Sequence, residues 1–211
     1  MRPAKISESA VRRLSLYLRV LDAFELAGKT TVSSGDLAER GGVTPAQVRK
    51  DLSHFGSFGK RGLGYPVSEL RERVTEILGL GRRWRVGLIG AGKLGAALFF
   101  YDGFRGQGFD VVAIFDNDPD KVGQRWGRLV VEDIDSMDRV VRVSRVEMGI
   151  IVTPAVSAQL VADRLIASGV EAILNFAPTR LQVPVGITLR NVNLEIELES
   201  LAFALTHENG A

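Results

Sequence analysis

No cysteine occurs in this chain, which excludes disulfides, thiol catalysis and cysteine-ligated metal sites together. Histidine is nearly absent too, with His54 and His207 the whole supply. No apolar run reaches the ~18 residues that suggest a membrane-spanning helix. The opening MRPAKISESAVRR lacks the apolar core of a signal peptide. Internal repeats and low-complexity tracts are missing. These absences predict a cytoplasmic protein with no membrane partner and no metal. What is present is ordinary for a globular protein, 45% hydrophobic and 25% charged residues. A length of 211 residues suits one large domain or two small ones.

The net charge of +2 conceals an asymmetry. Residues 1–83 carry 15 Lys and Arg against 9 Asp and Glu, whereas residues 84–211 carry 12 against 16. A basic front and an acidic back suggest two partners of different kinds. Plain scatter of surface charge is the alternative.

In the front part, Val11, Leu14, Tyr17, Leu18, Leu21 and Phe24 recur at helical spacing and predict a helix from Ser7 to Ala27. A short helix over Gly35–Arg40 follows Ser33-Ser34. Thr44-Pro45 restarts the chain as N-cap and first helical residue, opening a third helix over Ala46–Phe55 with Val48 and Leu52 inward. Gly56-Ser57-Phe58-Gly59-Lys60-Arg61-Gly62-Leu63-Gly64-Tyr65 reads as a β-hairpin wing with a basic tip. Together these make a winged helix-turn-helix pattern. The third helix would enter a major groove of double-stranded DNA, with Gln47, Arg49, Lys50 and Ser53 reaching bases or phosphates. Thr44 would donate to a phosphate, and Lys60 and Arg61 would act from the wing. A solvated basic helix face is the bland alternative.

The back part alternates strand and helix patterns, which predicts a parallel sheet. Strands are expected over Arg85–Gly90, Val111–Asp116, Met148–Thr153, Ala172–Phe176 and Ile187–Leu194. Helices are expected over Lys93–Gly103, Ile134–Val143, Val156–Ser168 and Glu195–Thr206. The first strand breaks into Gly90-Ala91-Gly92-Lys93-Leu94-Gly95-Ala96, a G-x-G-x-x-G turn between strand and helix. Gly90 permits the tight turn, Gly92 lets backbone approach a pyrophosphate, and Gly95 lets helix and sheet pack closely. Helical N–H groups would face the phosphates. Asp116 ends the next strand, where an acid hydrogen-bonds the adenosine ribose and disfavours a 2′-phosphate. It lies 26 residues after Gly90, somewhat beyond the usual ~20. Thr153-Pro154 and Asn175-Phe176 end two further strands at the same edge and are candidates for the nicotinamide half. The expected ligands are NADH and NAD⁺.

An NAD(H)-dependent oxidoreductase with an accessory basic helical domain is the enzyme reading of this pattern. It lacks an acid–base residue beside the nicotinamide. His54 falls in the third helix and His207 in the tail, Tyr101 is followed four residues later by Arg105 rather than Lys, and Lys93 sits inside the phosphate turn. The sequence therefore predicts binding without turnover and no catalytic residue. A third reading is a repressor of the same layout that senses coenzyme A or another nucleotide.

The segments RRLSLYLRVL, VSSGDLAE, VRKDLSHFGSFGKRGLGY, LIGAGKLGAAL, VVAIFDNDPDKVG, VTPAVSAQ, ILNFAP and VNLEIELESLAF resemble, end to end, the bacterial redox-sensing transcriptional repressor family Rex. The resemblance implies an α/β protein: a winged-helix domain over 1–79, a Rossmann domain with a doubly wound parallel sheet over 80–194, and a C-terminal domain-swapped helix and tail over 195–211. It implies a homodimer that binds a palindromic operator when NADH is low and is released by NADH. It places Arg19 and Tyr101 in contacts between subunits that change with state. Where relatives carry an aspartate before the last helix this chain has Asn193, so a charge-based Arg19 switch is not implied here. That last helix is expected to be apolar on one side.

Overall fold

The computed structural model describes residues 6–56 and 63–207. The chain divides into two compact units, Met1–Arg82 and Arg83–Ala211.

The first unit begins with α1 (Glu8–Leu26), capped by the Ser7 hydroxyl accepting from the Ala10 N–H. Next come β1 (Thr31–Val32), α2 (Ser34–Gly41), α3 (Pro45–Ser53), β2 (Tyr65–Pro66) and α4 (Val67–Ile77). Ser33 and Asp36 form a reciprocal capping box at the start of α2, and Gly42 ends it in the left-handed region. Thr44 caps α3 with Pro45 in its first turn. The starts of α1, α2 and α3 thus each have a local chemical cause. The core is a single cluster in which Leu14, Tyr17 and Leu21 of α1 meet Leu37, Val48, Leu52, Leu70 and Val74. β1 and β2 pair antiparallel, Val32 opposite Tyr65. Gly64 at φ +79° makes that pairing possible, because a Cβ there would lie 2.5 Å from the Val32 carbonyl oxygen. Lys60 and Arg61 lie outside the described residues.

The second unit runs β3 (Trp84–Ile89), α5 (Lys93–Phe99), α6 (Asp102–Gly106), β4 (Phe109–Asp116), β5 (Arg125–Trp126) and β6 (Leu129–Asp133). It continues with α7 (Met137–Val143), β7 (Met148–Ile151), α8 (Ala155–Ala167), β8 (Ala172–Asn175), β9 (Thr188–Asn191) and α9 (Leu194–His207). The seven strands lie in the order β5-β6-β4-β3-β7-β8-β9. All neighbours are parallel except β5 and β6. The six parallel strands therefore follow the doubly wound order of dinucleotide-binding sheets, with the chain reversing direction between β3 and β7. α7 and α8 cover one face over Ile89, Phe115, Ile151 and Ile173. The other face packs Val86, Leu88, Ile114 and Ile150 toward α5, α6 and Trp126.

That second face is only half covered. Residues 176–187, between β8 and β9, contain no helix. An apolar groove of about 250 Å³ remains along Val86, Phe104, Val111, Met148, Ile150 and Leu174.

Three details depart from the sequence reading. The helix expected over Lys93–Gly103 is broken: α5 stops at Phe99, and α6 starts after Tyr101. Phe99 and Phe104 lie about 140° apart on a continuous helix, and the break lets both pack on the same sheet face. The hairpin β5–β6 was not expected, although β6 pairs with β4 through Val131. Finally, α9 is apolar on two opposite faces. Leu194, Leu198, Leu201 and Leu205 share one, while Ile196 and Phe203 share the other. All six are 55–69% exposed.

Candidate dinucleotide and nucleic-acid sites

The carboxyl edge of the sheet is organised by the turn after β3. Gly90 adopts φ +109°, and a Cβ there would come within 2.8 Å of the Val152 carbonyl oxygen. A Cβ on Gly95 would run into the Gly90 carbonyl oxygen. These two glycines let the turn close on itself and on the end of β7. Gly92 differs, because a Cβ there would meet only open space. Its bare backbone leaves the approach to the turn free, as a cradle for a phosphate-bearing ligand requires.

Asp116 ends β4 at 7% exposure. One carboxylate oxygen accepts from the Ala91 N–H at 2.6 Å, and the other from the Asp118 N–H at 2.9 Å. The ammonium of Lys121 stands 3.5 Å from Asp116 and 3.1 Å from Asp118. The acid expected at the ribose thus also anchors the glycine turn.

Thr153 follows β7, and its buried hydroxyl has no hydrogen-bond partner among the described residues. Leaving such a group unsatisfied costs about 1–3 kcal/mol, so the edge holds a polar atom waiting for one. Pro154 precedes α8 and is exposed, as are Lys93 and Leu94 at the start of α5. Phe176 is half-buried against the sheet cluster.

Two expected contacts are corrected. Asn175 is fully buried; its amide donates to Ala177, Thr179 and Asn191, and its oxygen accepts from the Ala177 N–H. Its side chain holds the loop after β8. Ala96 packs inward on the sheet cluster. The remaining residues fit a dinucleotide: two closing glycines, an open one, a ribose-side acid and an orphaned hydroxyl. No histidine stands among them: His54 follows α3, and the ring of His207 stacks on Phe203 at the end of α9. No group of three or more His, Asp or Glu side chains suited to a metal ion occurs among the described residues.

In the first unit, α3 is fixed by a charge that sequence reading missed. Asp51 is 1% exposed. It receives Arg13 on both oxygens at 2.6 and 2.7 Å, the Tyr17 hydroxyl at 2.9 Å and the Gln47 amide at 2.7 Å. Burial pushes its carboxyl up, but the bonds from Arg13, Gln47 and Tyr17 outweigh burial and hold it below the usual range. Burial, with the bond to Asp51, raises the Tyr17 hydroxyl. The sequence signal was present: Asp51 falls three residues after Val48, on the inward stripe.

This network corrects the expected role of Gln47, whose side chain turns inward. Arg49 is exposed and donates to Ser34 at 2.9 Å. Lys50 is exposed, and Ser53 donates back to the Lys50 carbonyl. Thr44 accepts from the Gln47 N–H as the helix cap, and its own O–H remains a donor. Arg19 is exposed on α1, and Tyr101 is exposed with its ring edge on Phe104 at 5.3 Å. Asn193 caps α9, accepting from the Glu195 and Ile196 N–H groups.

Two family models match the chain. "Putative DNA-binding protein N-terminus" covers residues 5–53, and "CoA binding domain" covers residues 82–179. The redox-sensing transcriptional repressor Rex of Desulfitobacterium hafniense is 49% identical over 96% of this chain and 97% of its own. A crystal structure of RSP in complex with beta-NAD+ and operator DNA is 37% identical. It covers 98% of this chain and 95% of that one, with a TM-score of 0.93. RSP in complex with beta-NADH is 35% identical over 98% and 97%, with a TM-score of 0.88. With near-half identity along almost the whole length, the chain belongs to the Rex family of redox-sensing transcriptional repressors.

Proposed function

We propose that this protein is a DNA-binding repressor that reads the NADH/NAD⁺ ratio and performs no chemistry on the dinucleotide. The observation that carries the reading is the carboxyl edge itself. Among the described residues, it offers an open glycine cradle, an acid at the ribose position and an unpartnered Thr153 hydroxyl, but no histidine or Tyr–Lys pair placed for hydride chemistry.

Gly90 to Gly95 would hold the pyrophosphate through backbone N–H groups, with Lys93 and Leu94 exposed beside it. Asp116 would take the ribose, and Thr153, Pro154 and Phe176 would face the nicotinamide. A wall such as Phe176 favours the neutral reduced ring over the cationic oxidised one, because burying an unpaired charge is costly. On the operator, Arg49, Lys50, Ser53 and Thr44 of the third helix would touch DNA, with Lys60 and Arg61 from the wing. Operator and NADH binding are then coupled with opposite sign, each weakening the other by the same factor. A near-complete change of state needs about 10⁴-fold differential affinity, or ~5.5 kcal/mol.

Operator mobility shift at fixed salt is the test, with NADH, NAD⁺ and coenzyme A titrated separately. NADH is expected to release the DNA at concentrations where NAD⁺ does not. Equal effects of NADH and NAD⁺ would reject redox sensing. Release by coenzyme A alone would favour the ligand named by the second family model.

The working form is a homodimer acting on its operator in the cytoplasm. Its support is the two-faced apolar α9 and the half-covered sheet, each of which needs a neighbour to bury it. α9 exchanged between protomers meets that need. The double variant Leu198→Glu, Leu201→Glu is expected to sediment as a monomer and lose operator affinity at least tenfold. A variant that remains dimeric in analytical ultracentrifugation would remove α9 from the interface.

A further inference from the structure

The cation beside the ribose acid has no role in the reading above. Lys121 is 34% exposed and lies between Asp116 and Asp118, at 3.5 and 3.1 Å. Asp116 in turn touches the Ala91 N–H of the glycine turn. Lys121 therefore stands two contacts from the backbone that would hold the pyrophosphate, on the side where the strand-end acid meets the ribose. A dinucleotide with a phosphate on its ribose 2′-oxygen would bring nearly two negative charges there.

We propose that Lys121 is a masked 2′-phosphate acceptor, and that Asp118, by neutralising it together with Asp116, makes the site select a dinucleotide with a free 2′-hydroxyl. The inference rests on the carboxyl edge being the dinucleotide site. Two carboxylates against one ammonium leave the pocket net negative, so a phosphorylated ribose is repelled although a lysine is within reach. Removing one carboxylate charge leaves the pair balanced and the ammonium available to a phosphate. Asp118 is the removable one. Asp116 anchors the glycine turn, whereas Asp118 lies in the following turn and is 39% exposed. Its other oxygen accepts from the Asp120 N–H at 3.0 Å, a bond that an asparagine side-chain oxygen reproduces.

The test uses the full-length protein, with NADH and NADPH binding measured by calorimetry on four forms: unchanged, Asp118→Asn, Lys121→Ala and the double variant. Thermal unfolding checks that each is folded. The unchanged protein is expected to bind NADH at least a hundredfold more tightly than NADPH. Asp118→Asn should raise NADPH affinity about tenfold and change NADH affinity less than threefold. The double variant should lose that gain. An unchanged NADPH affinity in Asp118→Asn overturns the proposal, as does a gain that survives loss of Lys121. If the unchanged protein binds neither dinucleotide, the underlying reading of the site fails instead, and the proposal with it.

Discussion

Replacing Asp51 by alanine should lower the stability of the first unit by about 3 kcal/mol, the low end of the cost of breaking a buried ion pair. The low end applies because the Arg13 side chain is 21% exposed while that of Asp51 is 2% exposed. At roughly 4–8 °C per kcal/mol for a unit of this size, its melting transition falls by roughly 12–24 °C. Operator binding is lost with it, since Asp51 sits on the helix that would read DNA and ties it to α1. Two controls separate charge from volume. Asp51→Leu with Arg13→Met should recover most of the stability, because exchanging a whole buried pair for apolar residues is near neutral. The second control is pH. The folded carboxyl of Asp51 lies below its ordinary value of 3.8, so its stabilisation is present above that value and lost as pH falls through the folded one. The gap between the unchanged protein and Asp51→Ala, followed by circular dichroism, should therefore narrow below about pH 4. A gap that widens toward acid would show that Asp51 is not stabilising as a carboxylate.

The second large effect separates two glycines of the same motif. Gly95→Ala drives a Cβ into the Gly90 carbonyl oxygen, so the turn must open. Overpacking of this kind costs about 1–3 kcal/mol, and the second unit should melt earlier and lose its response to NADH. Gly92→Ala adds the same atom into open space at φ −83°, so melting should be unchanged. NADH affinity should nevertheless fall tenfold or more, about 1.4 kcal/mol, because the cradle is filled. Operator affinity without NADH should stay within twofold for Gly92→Ala, leaving a repressor that binds DNA and is hard to release. Unchanged calorimetric binding of NADH to Gly92→Ala would mean that the phosphates do not pass over this residue.

What could be read from the residues alone was whatever rests on local chemistry. Ser7, Ser33 and Thr44 announce helix starts because a cap is a bond within three residues. The G-x-G-x-x-G turn is legible because its glycines answer constraints inside one strand-turn-helix unit. The features that escaped depend on partners far along the chain. Asp51 is explained by Arg13, 38 residues away, and Asp116 is drawn to Ala91, 25 residues away. Asn175 looked like a ligand residue because it ends a strand at the right edge, but it is buried and its side chain is bonded to the loop that follows and to Asn191. The β5–β6 hairpin escaped for a different reason. Its strands are short and bury only Trp126 and Val131, too few residues to set an alternating pattern.

The missing helix between β8 and β9 has a consequence in mass action. A unit that leaves part of its sheet open gains stability whenever a second copy closes it, and that gain depends on how many copies are present. For a regulator, abundance then sets more than operator occupancy. In the proposed homodimer, scarce chains would also be less stable chains, so dilution would remove the repressor twice: once from its DNA and once from the folded pool.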